Sequence, residues 1–223
     1  AGIEQTPENG FGATPLTKYR RHVLMLHPHT VIVYDELEAS EAVRWEWLLH
    51  SPTEFKMDVT KKTLSTNNKT QGWVAVTQLF GGHVFTLSQT DRFVVPPAIT
   101  GAEYPNQWHL TARVDGCSAT RFLAIIQVGD EAVSIINRDG DTFNVGDWTV
   151  KAVLDASKAP ELTVSHRTEQ AVFSYGTDNP ALNGNFYSRQ YTGSSLLYDE
   201  IDGVYQVVEM TDRSPISTWV VNQ

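Results

Sequence analysis

Between Tyr19 and Ser51 the chain reads YRRHVLMLHPHTVIVYDELEASEAVRWEWLLHS, and no other stretch limits the fold as tightly. Apolar residues alternate with polar ones through Val23 and Met25, run almost unbroken through Val31, Ile32, Val33 and Tyr34, then alternate again at Val43, Trp45, Trp47 and Leu49. A period of two is that of a strand, and a short unbroken apolar run fits a strand buried on both faces. The pattern predicts three consecutive strands. His27-Pro28-His29 parts the first from the second, because proline fixes φ and offers the ladder no donor. The acidic and small residues of Glu36 to Glu41 part the second from the third, so both connections suit an antiparallel meander.

In the third of these strands, alternation puts Val43, Trp45, Trp47 and Leu49 on one face and Arg44, Glu46, Leu48 and His50 on the other. The first face is a core. The second carries a cation, a carboxylate and an imidazole in a row, which is either the floor of a site or a solvated ion-pair ladder.

The runs RRHVLMLHPHTVIVYDEL from Arg20 and WEWLLHS from Trp45 resemble the all-β C-terminal region of heparinase II/III-like polysaccharide lyases. The resemblance covers Tyr19 to Ser51, and beyond it only strand patterning of the same kind continues. It implies a parent enzyme in which an α-helical toroid precedes a β-sandwich and uronate-containing polysaccharides are cleaved by β-elimination where the two meet. The family's catalytic tyrosine and one histidine sit in the toroid, and another histidine sits early in the sandwich, ahead of the segment matched here. None of those motifs occurs in this chain, which is therefore expected to be a piece of the enzyme, inactive alone, in the periplasm or secreted. Some members hold zinc in the sandwich with two histidines and an aspartate, and the last histidine of that set matches His50. Its partners would lie upstream of Ala1. The other reading of His50 is a strand-end histidine bonded to a neighbour.

The chain is long enough for one large β-domain or two small ones. With 41% hydrophobic and 19% charged residues it has the balance of a globular protein rather than a disordered one. No apolar run approaches the ~20 residues of a membrane span. Residues 1–17 are polar and rich in Gly and Pro, and read as a linker or a truncated start. A formal charge of -9 argues against a general attraction to nucleic acid or to anionic membrane surfaces. The same sign repels acidic glycans, so a chain that meets an acidic polysaccharide needs local cations, for which Arg20, Arg21 and Arg44 are the candidates. Cys117, the lone cysteine, excludes an intrachain disulfide and a cysteine-based zinc cluster, and its setting suggests a small residue near a turn.

Past Ser51 the pattern stays β. Gly72 to Phe80 reads as a strand turned by Gly81-Gly82 into a hairpin with His83 to Gln89. Asp91 to Gln107, with three prolines, reads as a long surface loop. Gln107 to Val114 again backs an apolar face (Trp108, Leu110, Ala112, Val114) with His109, Thr111 and Arg113, and Thr120 to Val128 is a continuous apolar strand. Ala132 to Asn137, Asp147 to Leu154, Leu162 to His166 and Gln170 to Tyr175 follow, with Asp139-Gly140 as a tight turn. An Asn/Gly-rich loop, Gly176 to Gly193, precedes the closing strands. Turn signals about every ten residues point to an all-β fold, a large antiparallel β-sandwich resembling a supersandwich, over 18–223. The pattern falters at 155–161, the expected place for a sub-boundary.

Trp73, Trp108 and Trp148 stand in phase with aliphatic neighbours and fit core packing. Tyr187 and Tyr191, in the Asn/Gly-rich loop, suit glycan contact. The candidate substrate-binding residues are Arg44, Glu46, His109, Tyr187 and Tyr191; the candidate metal ligand is His50; no catalytic residue is named. β-Elimination needs a neutralised uronate, a base and an acid. His83, His109 and His166 are scattered over different strands, so no Tyr/His pair can be singled out. A self-sufficient carbohydrate-binding or interaction module is the alternative function.

Overall fold

The computed structural model describes residues 14–60, 62–68, 73–92, 107–129, 136–166, 170–178, 180–201, 204–211 and 217–220. Among them there is no helix. The expected class, an all-β antiparallel β-sandwich, is the one the chain adopts, and its contacts divide into two compact units, Ala1–Glu131 and Ala132–Gln223.

The first unit holds β1 (Leu16–Leu26), β2 (Thr30–Ser51), β3 (Lys56–Asp58), β4 (Thr63–Asn68), β5 (Trp73–Gly81), β6 (Thr86–Thr90) and β7 (Trp108–Gly129). Its spine is β2 and β7, each 22 residues long, which pair antiparallel from Thr30↔Gln127 to Ser51↔Trp108. Their register shifts between Glu38 and Trp45, and Gly116, at φ +72°, lies on β7 in the same region. A bulge of this kind bends a strand. Consequently Val33 and Leu37, before the irregularity, share one core with Trp45 and Trp47, after it, together with Leu79, Leu110 and Phe122. The sheet doubles over on itself to make a sandwich. Leu79, Leu110 and Phe122 are fully buried, and each such side chain contributes ~2 kcal/mol relative to exposure. Ile32 and Tyr34, on the opposite face of β2, are fully buried too, as the unbroken apolar run predicts.

The chain departs from the sequence pattern at three places in this unit. Glu36 to Glu41 does not separate two strands; it lies inside β2. The acids that look like turn residues sit in the ladder opposite the cations of β1: Lys18 contacts Glu36 and reaches Glu38 at 3.4 Å, and Arg21 grips both oxygens of Asp35 at 2.6 and 2.9 Å. Asp35 and Glu36 are each 1% exposed, so these pairings offset a desolvation cost that would otherwise exclude them from a strand. Cys117 likewise lies within β7 rather than at a turn, and burial pushes its thiol pKa up. Gly81-Gly82 does not turn a hairpin. Both β5 (Gly81↔Phe122) and β6 (Thr86↔Arg113) pair with β7, on the edge that β2 leaves open, so the glycines interrupt one line of pairing instead of reversing it. The His27-Pro28-His29 break holds, as the β1–β2 turn. Of the expected loop over 91–107, residues 93–106 lie outside the described residues, as do residues 1–13 of the expected linker over 1–17, whose end, from Leu16, belongs to β1 instead.

The second unit holds β8 (Ile136–Asp139), β9 (Thr142–Val145), β10 (Trp148–Ala152), β11 (Leu162–His166), β12 (Gln170–Tyr175), β13 (Ala181–Leu182), β14 (Asn185–Phe186), β15 (Ser195–Ile201), β16 (Val204–Met210) and β17 (Ser217–Val220). Sheet order follows chain order from β8 through β12 and from β15 through β17. The tight turn expected at Asp139-Gly140 is the β8–β9 hairpin, in which Gly140 and Asp141 lie between the paired Asp139 and Thr142. Residues 155–161 connect β10 to β11 inside this unit, while the division between units falls after Glu131. The pattern falters there because the turn is polar: Asp155 accepts the amide and hydroxyl of Ser157 at 3.0 and 2.7 Å, and Val153 N–H bonds Glu161 O at 3.0 Å.

Candidate functional site

Beyond the bend, the second half of β2 lies beside β7, which lies beside β6, and opposed residues share a face. The rows are therefore His50–His109–Thr90, Leu48–Thr111–Ser88 and Glu46–Arg113–Thr86. Arg44 extends the series towards Asp115. The reverse face is the core of Trp45, Trp47, Leu110 and Ala112. Four of the sequence-predicted residues, Arg44, Glu46, His50 and His109, thus stand on one polar, largely exposed face.

Its two ends differ in charge. At one end Arg44 Nε and Arg113 Nε donate to the same oxygen of Asp115, at 3.2 and 2.8 Å. The Arg113 hydrogen bond, aided by Arg44, holds the Asp115 carboxyl below the usual carboxylate range, and Asp115, with Glu46 behind it, pushes the Arg113 guanidinium up. This end is an ion-pair ladder in which two cations meet two acids. At the other end the rings of His50 and His109 lie 4.4 Å apart, inclined by 37°. Sequence reading set His50 aside for metal and His109 for substrate; the structure makes them neighbours. Two imidazoles supply half of a tetrahedral zinc shell. Among the described residues no group of three or more His, Cys, Asp or Glu could hold a metal, so the zinc set is incomplete there and no chemistry is assigned to a metal.

Beside this face a groove of ≈ 340 Å³ is lined by Tyr19, Arg21, Asp35, Trp45, Glu46 and Leu48, among others. Glu46 and Leu48 belong to both. The Arg21 guanidinium sits 5.8 Å from the centre of the Tyr19 ring, and its hydrogen bond to Asp35 raises its pKa. Tyr19 is 56% exposed, so the groove offers an aromatic ring to solvent, and beside it a half-exposed guanidinium already paired with Asp35.

Other candidates fall elsewhere. His83 Nδ1 lies 3.2 Å from Thr120 Oγ1. Trp108 packs against the first unit's core, as its phase predicts. Trp148 and His166 are ring neighbours at 4.5 Å in the second unit. The side chain of Trp73 is outside the described residues. Tyr187 is half-buried against Leu182, Leu196 and Val207, and burial pushes its phenol pKa up. Tyr191 is exposed and lines a pocket of ≈ 480 Å³ with Tyr175, Asp178 and Arg189.

The sequence reading missed Asp115, Asp178, Arg189 and Glu209. A signal existed for Glu209, which shares its phase along β16 with the fully buried Val207 and so points inward. His22 and Tyr34 face each other at 6.2 Å, but Tyr34 is fully buried and cannot reach a polymer.

No protein-family model matches the chain, and no curated protein matches it either.

Proposed function

We propose that this chain is the non-catalytic β-sandwich part of a heparinase II/III-like polysaccharide lyase, in which it supports the substrate cleft while an upstream α-helical toroid supplies the β-elimination chemistry. The observation that carries the reading is the exposed face of Arg44, Glu46, His50 and His109 running into the groove of Arg21 and Tyr19. It offers imidazoles, an aromatic ring and guanidinium groups paired with acids to an acidic polysaccharide, and all of it but His109 lies on the segment that resembles the family. Any metal at His50 and His109 needs further ligands from outside the described residues, and the periplasmic or secreted location rests on the resemblance.

The test is to incubate the chain with heparan sulfate, chondroitin sulfate, hyaluronan and alginate while following the ultraviolet absorbance of unsaturated uronate and, separately, binding. The expected result is no product, and weak binding of at least one polymer that fades with salt and falls several-fold in Arg21→Ala and in Tyr19→Ala, the second of which leaves the Arg21–Asp35 pair intact. Product formation by this chain, or binding indifferent to Arg21→Ala, overturns the reading. The alternative, a self-sufficient carbohydrate-binding module, is favoured by the pocket at Tyr191, whose lining residues all come from the second unit.

A further inference from the structure

Among the described residues the meander of the second unit is interrupted between β12 and β15, by residues 176–194, and two ions, Arg189 within this excursion and Glu209 on β16, fix its shape. Arg189 donates from Nε to Thr177 O at 2.9 Å, from Nη1 to Ser194 O at 2.5 Å, and from Nη2 to Ser174 O and Oγ at 3.1 Å each. Glu209, fully buried, accepts the backbone amides of Gln190 and Tyr191 at 3.1 Å and the hydroxyl of Ser194. Burial lowers the Arg189 pKa, and Glu209, Asp178 and Tyr175 oppose that effect. Burying ions costs several kcal/mol each, and here the result is a loop held in one conformation. At its base Gly176 takes φ +81°, and a Cβ there would stand 1.8 Å from Pro160 O, so the two backbones touch as only glycine permits.

These fixed parts line an open pocket of ≈ 480 Å³, formed by Pro160, Tyr175, Asp178, Gln190, Tyr191 and Thr192 among others. Its size falls within the ~300–1,000 Å³ of small-molecule sites. A carboxylate accepts, a hydroxyl and an amide both donate and accept, and the exposed Tyr191 ring offers an apolar face, while Tyr175 is buried. That set matches the hydroxyls and the C–H face of a sugar ring. Asp178, with Glu209 behind the loop, opposes a second negative charge, and each nitrogen of Arg189 is already turned to a carbonyl of the protein.

We propose that this pocket binds a neutral pyranose, with Tyr191 as the platform for the ring and Asp178, Gln190 and Thr192 as partners for its hydroxyls. The site is separate from the acidic-polysaccharide face and rests on the second unit alone.

The test titrates the full chain, followed by NMR amide shifts, with glucose, galactose, mannose, N-acetylglucosamine and their disaccharides, and with glucuronate as the charged counterpart. At least one neutral sugar shifts the amides of Gln190 to Gly193, and Tyr191→Ala weakens that sugar roughly tenfold. Glucuronate binds more weakly than glucose, and Asp178→Asn narrows that gap roughly fivefold. Both side chains are exposed, so the variants are expected to fold, which their unperturbed amide spectra elsewhere would verify. Absence of shifts with every neutral sugar, binding unchanged by Tyr191→Ala, or glucuronate bound as tightly as glucose each overturns the proposal. Failure here leaves the Arg21-dependent binding of acidic polymers untouched, and the reverse also holds.

Discussion

In the first unit the strand that starts at Thr30 pairs on both sides of its bend with one that ends at Gly129, and among the described residues four other strands lie in the chain between them. In the second unit each strand from β8 to β12, and from β15 to β17, pairs with its neighbour in the chain, and one detour of 176–194 breaks the series. The first arrangement depends on distant pairing and on one apolar core shared across a bend. The second depends on local hairpins and on ions that pin a loop. The difference shows where each unit can afford polarity. The doubled sheet displays polar groups on an outer strand face, at Arg44 to His50, and pairs its buried Asp35 and Glu36 with cations of the next strand, whereas the second unit gathers its buried ions at the loop that leaves the meander.

The largest expected effect is on the detour. Gly176→Ala sets a Cβ against the Pro160 carbonyl at a positive φ, and should destabilise the second unit by roughly 4 kcal/mol. Hydrogen exchange should show β12 and β15 losing protection while β2 and β7 keep theirs; equal loss in both units would erase the distinction drawn here. Next comes the shared core. Leu79→Ala removes a fully buried side chain and should lower stability in denaturant titration by about 3 kcal/mol, with exchange rising on both sides of the bend, at Val33 and Trp47 alike. Protection lost on one side only would mean that the halves are not one core.

The smallest effect concerns the ion-pair end of the polar face. In Arg113→Ala the Asp115 carboxyl loses its main hydrogen bond and should titrate closer to the ordinary carboxylate range, as read by carboxyl NMR. Because its pKa in the folded chain is depressed, whatever Asp115 adds to stability is present above the ordinary carboxylate pKa and is lost as pH falls through the depressed value. The groups are exposed and screened by solvent, so the shift should show in the titration and hardly at all in the unfolding midpoint. An Asp115 titration unchanged by Arg113→Ala would leave Arg44 as its principal partner.

Much of the fold is legible in the residue pattern, and the parts that are not share a cause. Asp139-Gly140, Leu162 to His166 and the alternation from Val43 to Leu49 are local signals and read correctly. Glu36 to Glu41 misleads because its acids gain partners from β1, and Gly81-Gly82 misleads because β5 and β6 have a common partner in β7. The polar face is half legible: alternation alone aligns Arg44, Glu46 and His50, but placing His109 beside His50 and Asp115 between two arginines takes the β2–β7 register.

Sequence by itself determined that this chain is β, which positions face a core, and that a cation, a carboxylate and an imidazole share one strand face. Those properties depend on the two-residue repeat of an extended backbone, which is local. Tertiary structure alone decided that two 22-residue strands bend and double over, that His50 meets His109, and that Arg189 and Glu209 hold a pocket open around Tyr191. Those properties depend on which distant strand supplies the opposing charge or hydrogen bond, and the pattern along one strand carries no record of its partner.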